Sequence, residues 1–245
     1  MTGFDFSIVI PAYNEEARIG DTLDELAAIV DDKDWNVEVI VVDDGSTDRT
    51  IPVARSRLEA FSASRIITSQ PNRGKGYVVR VGMLEASAPI RVFMDADGST
   101  DLGEVDRFRQ RSIQLEGEHI LVGSVAMADS DVTPQPLYRQ VAGRVANWLI
   151  QVLVLPGIKD SQRGFKLFTA AAAEDVFSRC DIDGWLFDVE ALAIARRLGY
   201  SIVEMPIKWE HREASRVSFR SYLQTLLDLL RVRWRLWSNY YQLQR

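Results

Sequence analysis

Short apolar runs alternate along this chain with segments whose apolar positions recur every three or four residues. Residues 6–10 form the first run, ended by Pro11. Beyond Asn14-Glu15-Glu16, the positions Ile19, Leu23, Leu26 and Val30 step by four, three and four, which is helical spacing. Residues 37–42, apolar except for Glu38, are read as a second buried strand, followed by Asp43-Asp44-Gly45-Ser46, where Ser46 or Thr47 can cap the next helix. A third strand is predicted at 66–68, a helix at 74–86 and a fourth strand at 90–94. This β-α-β-α order predicts a mostly parallel sheet with helices on both faces. Each polar cluster follows the end of a strand, where such sheets bind ligands.

The second half is less regular. The pattern predicts a strand at 120–123, a long helix at 138–155 stopped by Pro156-Gly157, and a helix at 185–198. A strand at 202–205 and a final amphipathic helix at 219–237 follow. No repeat or low-complexity linker divides the chain. We read one α/β domain over 1–218 and a C-terminal amphipathic segment over 219–245.

Composition narrows the picture. Of 245 residues, 47% are hydrophobic and 26% charged, the balance of a folded globular protein. The net charge of −6 is unevenly spread. From Met205 onward eight Lys/Arg face three Asp/Glu, a net +5 that leaves −11 for the rest. An acidic body disfavours nucleic acid as a partner, and a basic tail points to something anionic. A single cysteine, Cys180, excludes an internal disulfide and suits a reducing compartment. The first residues lack the basic-then-apolar pattern of a signal peptide, and no apolar run is long enough to span a bilayer.

The triplet Asp95-Ala96-Asp97 at the end of the fourth strand carries the most chemistry. Carboxylates two residues apart on an extended backbone point the same way. Such a pair suits a divalent ion bearing a diphosphate, since Mg²⁺ and Mn²⁺ take a few carboxylates plus substrate oxygens. Asp-x-Asp also occurs in ordinary turns. Three clusters precede it. In Pro11-Ala12-Tyr13-Asn14-Glu15-Glu16 an aromatic ring can stack on a base, although a plain turn capped by Asn14 explains the residues too. In Asp43-Asp44-Gly45-Ser46 either carboxylate can accept a base N–H, and both are good turn chemistry. Asn72-Arg73-Gly74-Lys75-Gly76 is out of register for a Walker A loop, but a lysine opening a helix offers a cation and N–H groups to an anion.

Taken in series, SIVIPAYNEE (7–16), VVDDGSTD (41–48), NRGKG (72–76) and DAD (95–97) resemble the family-two glycosyltransferases of the GT-A, Rossmann-like fold. DSQRGFKLF (160–168) and WLFDVE (185–190) are similar to its dolichyl-phosphate β-glucosyltransferase and polyprenyl-phosphate branch. The likeness covers about residues 5–218. It implies that Pro11, Tyr13, Glu15 and one of Asp43 or Asp44 hold the nucleoside, usually uridine. It implies Lys75 and Asp95 against nucleotide and sugar, and Asp97 on the metal, Mg²⁺ or Mn²⁺. Transfer would invert the anomeric centre in one displacement.

A phosphate acceptor is largely ionised at neutral pH and needs cations more than a base. Arg163, Lys166, Arg212 and Arg216 are the candidates, because forked donors suit phosphate oxygens. A hydroxyl acceptor, soluble or on a polysaccharide, would need a base. Asp160 is the first candidate for a carboxylate at the nucleophile and Asp188 the second; a loop cap and a solvated helix face are their bland alternatives. A non-catalytic nucleotide-sugar-binding module is a further alternative, disfavoured by the intact Asp95 and Asp97. Three positions depart from the resemblance. Val125 stands where an arginine is expected, with Arg139 or Arg144 as replacements; Arg163 stands where cysteine is common; and Ala214-Ser215-Arg216 replaces a Gly-Ser-Lys/Arg pattern.

Residues 148–155 are nearly all apolar, and 226–237 mix leucines, tryptophans and arginines, which suits a helix lying on anionic lipid. Packing on the core or on a second subunit would explain the same pattern. Together these readings predict transfer of a hexose from a UDP-sugar, UDP-glucose first, to a polyprenyl phosphate. The enzyme would be cytoplasmic, peripheral at the inner face of the membrane, with oligomerisation left open.

Overall fold

The computed structural model describes residues 3–127, 129–132, 137–210 and 219–242, with backbone alone at 131, 132, 137–142 and 219–223. Seven strands form one sheet in the order β3-β2-β1-β4-β7-β5-β8. They are β1 (Phe6–Ala12), β2 (Val37–Asp43), β3 (Ala63–Thr68), β4 (Ile90–Met94), β5 (His119–Ser124), β7 (Phe165–Thr169) and β8 (Ser201–Pro206). β7 runs antiparallel to both neighbours, and every other pairing in this sheet is parallel. A small parallel pair, β6 (Asp131–Val132) with β9 (Lys208–Trp209), lies outside it.

The helices divide between the two faces. α1 (Ile19–Asp32), α2 (Thr50–Leu58) and α4 (Gly103–Gln114) pack with one apolar cluster. α3 (Lys75–Glu85), α5 (Leu137–Leu153), α6 (Ala170–Phe177), α7 (Phe187–Arg197) and α8 (Phe219–Trp237) surround the other. Alternation survives inside the mostly apolar strands β1 and β2. Ile8 and Ile10 join the α1 side while Val9 joins the α3 side, and Val39 and Val41 part from Ile40 and Val42 in the same way. A strand covered on both faces is apolar at nearly every position. Ile19, Leu23 and Leu26 of α1 are fully buried, each contributing about 1.5–3 kcal/mol.

The mostly parallel sheet with helices on both faces is as the sequence predicts, and so is α8 to the residue. Five elements were not legible, the short β6 and β9 among them. α4 places few apolar residues among many charges, α6 is an alanine-rich single stretch, and β7 carries Lys166 inside the sheet. α1 begins at Ile19 because Arg18 before it, at φ −130°, lies outside the helical region. α2 begins at Thr50, where Asp48 Oδ1 accepts the Thr50 N–H at 2.9 Å; neither Ser46 nor Thr47 caps it. Among the described residues no helix is long and apolar enough to cross a membrane.

Candidate functional site

The first two motifs form one stitched corner at the carboxyl ends of β1 and β2. Asn14 N–H donates to Ser46 Oγ at 2.8 Å, Thr47 N–H donates to Asn14 Oδ1 at 2.8 Å, and Glu15 N–H donates to Thr50 Oγ1 at 2.6 Å. Glu15's own carboxylate is bound by the Arg18 guanidinium at 2.5–2.7 Å. Tyr13 presents an exposed ring, whereas Pro11 is buried inside β1 opposite Val42.

The two adjacent aspartates have different tasks. Asp44 accepts Arg73 N–H with one oxygen and Gly74 N–H with the other, both at 2.8 Å, and so anchors the NRGKG turn. Asp43 Oδ2 accepts Gly45 and Ser46 N–H at 3.0 Å, while its buried Oδ1 has no partner. Buried acceptors without a donor are costly, so Oδ1 has the capacity to accept an N–H from a ligand.

The helix-opening N–H groups of α3 do not form the anion site that the sequence suggested. Gly76 and Tyr77 N–H both donate to Asp183 O, at 2.8 and 3.3 Å. A Cβ on Gly74 or Gly76 would come within 2.4 Å of a carbonyl oxygen of the 182–184 loop, so both must be glycine for α3 to seat there. What the turn does deliver is Lys75, whose Nζ lies 2.5 Å from Asp95 Oδ1 and 5.7 Å from the centroid of the half-exposed Trp185 ring. Burial acts to lower the Lys75 ammonium, but Asp95 and Asp188 outweigh it and raise its pKa above the ordinary value.

Asp95 and Asp97 follow β4 directly. Asp95 N–H donates to Gly164 O at 3.0 Å, and Asp97 Oδ1 accepts the Ser99 N–H at 2.9 Å. Both carboxylates are partly exposed, so oxygens remain for a ligand. No group of three His, Cys, Asp or Glu gathers here or elsewhere among the described residues. That donor set fits a hard divalent ion that takes most of its oxygens from a substrate diphosphate and water; the residues holding it would be Asp97 and Asp95.

Behind Asp95 the acceptor-side candidates separate. Lys166 is 1% exposed; its Nζ donates to Asp188 at 2.6 Å and to Arg163 O at 2.5 Å. It is therefore a buried partner of Asp188 rather than an open phosphate ligand, a correction that follows from its place inside β7. Burial pushes the Asp188 carboxyl above its ordinary pKa, with Lys166 and Lys75 acting against it. Asp160 Oδ2 accepts both Val125 N–H and Arg163 Nε–H at 3.0 Å, so it organises its loop and holds Arg163. Arg163 is partly exposed and stacks over Trp209 at 4.7 Å. Arg212 and Arg216 lie outside the described residues, as does the side chain of Arg139, and Arg144 is exposed on α5. Sequence reasoning missed Gly164, Asp183 and Glu204, whose carboxylate accepts the Lys159 and Asp160 N–H groups. No local pattern marks a residue whose role is to fit against another loop.

Comparison with known proteins agrees with this geometry. Residues 7–177 match the family model for glycosyl transferase family 2. The chain is 34% identical over 241 residues to a dolichyl-phosphate β-glucosyltransferase of Drosophila melanogaster, covering 93% of this chain and 74% of that protein. It is 35% identical over 252 residues to the enzyme of that name from Homo sapiens, covering 98% and 78%. Among solved structures it resembles glucosyl-3-phosphoglycerate synthase from Mycobacterium tuberculosis, with Mn²⁺, UDP and phosphoglyceric acid bound. There the TM-score is 0.71 at 22% identity, over 94% of this chain and 79% of that one, a likeness of fold. A parallel sheet with its acidic pair at the end of β4, matched by the family model over most of the chain, places this protein in glycosyl transferase family 2, as a glycosyltransferase of the GT-A fold.

Proposed function

We propose that the enzyme transfers glucose from UDP-glucose to a polyprenyl phosphate of the dolichyl type, with inversion at the anomeric carbon. The observation that carries this reading is the assembly of Lys75, Asp95 and Asp97 at the carboxyl ends of the parallel strands, in a chain alike over nearly its whole length to dolichyl-phosphate β-glucosyltransferases. Uracil lies beside Tyr13, its N–H satisfying Asp43 Oδ1. Lys75 meets donor oxygens, and Asp95 holds that lysine and faces the sugar. Mg²⁺ or Mn²⁺, when bound through Asp97, would supply a Lewis acid for the leaving diphosphate; two solved structures of the similar glucosyl-3-phosphoglycerate synthase hold Mn²⁺ or Mg²⁺ with UDP.

On the acceptor side Arg163, fixed by Asp160 and Trp209, offers its remaining donors to the phosphate, joined by Arg212 and Arg216. The ionised phosphate oxygen attacks without a general base. This suits Asp160, whose carboxylate is taken up by Val125 and Arg163, and Asp188, which is paired with Lys166. Lipid access comes from the outer faces of α5 and α8. Val145, Trp148 and Val152 line one, and Leu227, Leu230, Trp234 and Trp237 the other, with Trp148 61% and Trp237 79% exposed. The enzyme would thus work as a peripheral protein at the cytoplasmic membrane surface.

The deciding experiment incubates the protein with Mn²⁺, polyprenyl phosphate and, in turn, UDP-glucose and other nucleotide sugars. Lipid-linked glucose is the expected product, lost in Asp97→Ala. No lipid-linked sugar from any donor would overturn the proposal, and product on a soluble hydroxyl acceptor alone would replace it.

A further inference from the structure

Two residues near the C-terminus reach the donor site through a buried carboxylate. Glu190, on α7, is fully buried. Its Oε2 accepts the N–H groups of Asp181 and Ile182 at 2.9 and 2.8 Å, which holds the 181–184 loop. Its Oε1 accepts Tyr241 O–H at 2.8 Å and Arg235 N–H at 3.4 Å. Arg235 also pairs with Asp181 at 2.5 Å. The same loop is the seat of α3. Asp183 O receives the Gly76 and Tyr77 N–H groups, the Asp183 carboxylate binds Arg73 at 3.1 Å and Arg80 at 2.8 Å, and Arg80 also donates to Cys180 O at 3.0 Å.

Each link is a close fit. Gly74 and Gly76 flank Lys75, and neither leaves room for a methyl between α3 and the loop. A displacement of Ile182 or Asp183 therefore moves the backbone that carries Lys75. Close-packed contacts of this kind transmit a shift rather than absorb it. Glu190 makes no contact with Lys75, Asp95 or Asp97 among its hydrogen bonds and ion pairs, so its influence on them runs through the loop. Burial raises the Glu190 carboxyl above its ordinary pKa, opposed by its backbone donors and Tyr241. An acceptor kept in such a place is held by its donors, and removing one loosens the rest.

We propose that Glu190 is a positioning residue for Lys75, clamped by Arg235 of α8 and Tyr241 just beyond it, so that α8 and the turn after it set the geometry of the donor site. This rests on Lys75 contacting the nucleotide, as proposed above. The test is a double-mutant cycle read by UDP binding in the presence of Mn²⁺, using Tyr241→Phe, Lys75→Ala and both together. Tyr241→Phe removes one buried hydrogen bond and should weaken UDP about three- to tenfold. In the Lys75→Ala background the same change should have no effect on UDP, because the group being positioned is gone. Glu190→Gln, which keeps the shape, should raise KM for the donor while KM for the acceptor stays unchanged. If Tyr241→Phe weakens UDP equally in both backgrounds, or lowers only the melting temperature, the positioning role is wrong. If Lys75→Ala itself leaves UDP binding intact, the donor-site reading of Lys75 falls, and this proposal with it.

Discussion

The carboxylate of Asp95 lies against the α-carbon of Gly164, so close that a Cβ at 164 would come within 2.1 Å of Asp95 Oδ2. Asp95 N–H donates to Gly164 O across the same contact. The loop preceding β7 thus fixes the acidic pair that ends β4. Gly164→Ala must push Asp95 aside and break its pair with Lys75. A misplacement of about 1 Å can cost a hundredfold in rate, so transfer should fall by about that factor, with a stability loss of about 1–3 kcal/mol. Steady-state kinetics beside a thermal melt check this; unchanged kcat with a normal melt would show that Asp95 is free to move.

Lys166 and Asp188 form a buried pair, and removing one partner strands the other. Lys166→Ala should lower stability by about 3–5 kcal/mol, whereas Lys166→Met combined with Asp188→Leu should recover most of it. Urea unfolding of the three variants measures this. A Lys166→Ala protein with wild-type stability but a raised acceptor KM would return Lys166 to the role of phosphate ligand.

Glu38 at the foot of β2 is a second buried carboxylate with the opposite sign. Burial acts to raise its pKa, but Ser7 Oγ–H at 2.6 Å, the Ser87 N–H at 2.9 Å and Arg65 outweigh it and bring it below the ordinary 4.5. A depressed folded-state pKa contributes stability above the unfolded pKa, and that contribution is lost as pH falls through the folded one. Glu38→Gln should be less stable at neutral pH and show a shallower loss of melting temperature on acidification. Parallel acid limbs for the two proteins would mean that Glu38 adds nothing to the pH dependence.

The exposed stripes of α5 and α8 make the membrane part of the proposal testable on its own. In flotation with vesicles containing anionic lipid, the wild type should float and the Leu230→Glu/Trp234→Glu variant should stay at the bottom, with UDP binding retained. Raising salt should weaken flotation only in part, because apolar burial persists when charge is screened. Wild type that remains in the bottom fraction even with polyprenyl phosphate present would remove the membrane from the reading.

Much of the donor half was legible because its signals are local. Apolar runs ended by Pro11, Asp43 and Asp95 mark strands whose carboxyl ends bear polar groups, and parallel packing needs no further information to bring those ends to one edge. The division of labour was not legible. Asp43 and Asp44 are equivalent by composition, and only the approach of the 72–74 turn assigns Asp44 to hold it and leaves Asp43 Oδ1 unpartnered. Lys166 read as a phosphate ligand on residue type alone, as a cation beside Arg163; the reversed strand β7, inserted between β4 and β5, buries it.

The sequence by itself determined the strand-and-helix order, the parallel sheet, the edge at which the acidic pair stands, and the kinship with glycosyl transferase family 2. The element order, the sheet and the place of the acidic pair depend on side-chain type at short spacing, which periodicity reports directly, whereas the kinship is carried by the resemblance of four motifs in series. Tertiary structure alone decided which charged groups face a ligand and which neutralise one another. Glu190 meeting Tyr241, Gly164 meeting Asp95 and Asp183 meeting Gly76 join residues 51, 69 and 107 positions apart. Such contacts exist only after the chain has closed on itself, because it is packing and desolvation that turn a charge into either a ligand or a structural pair.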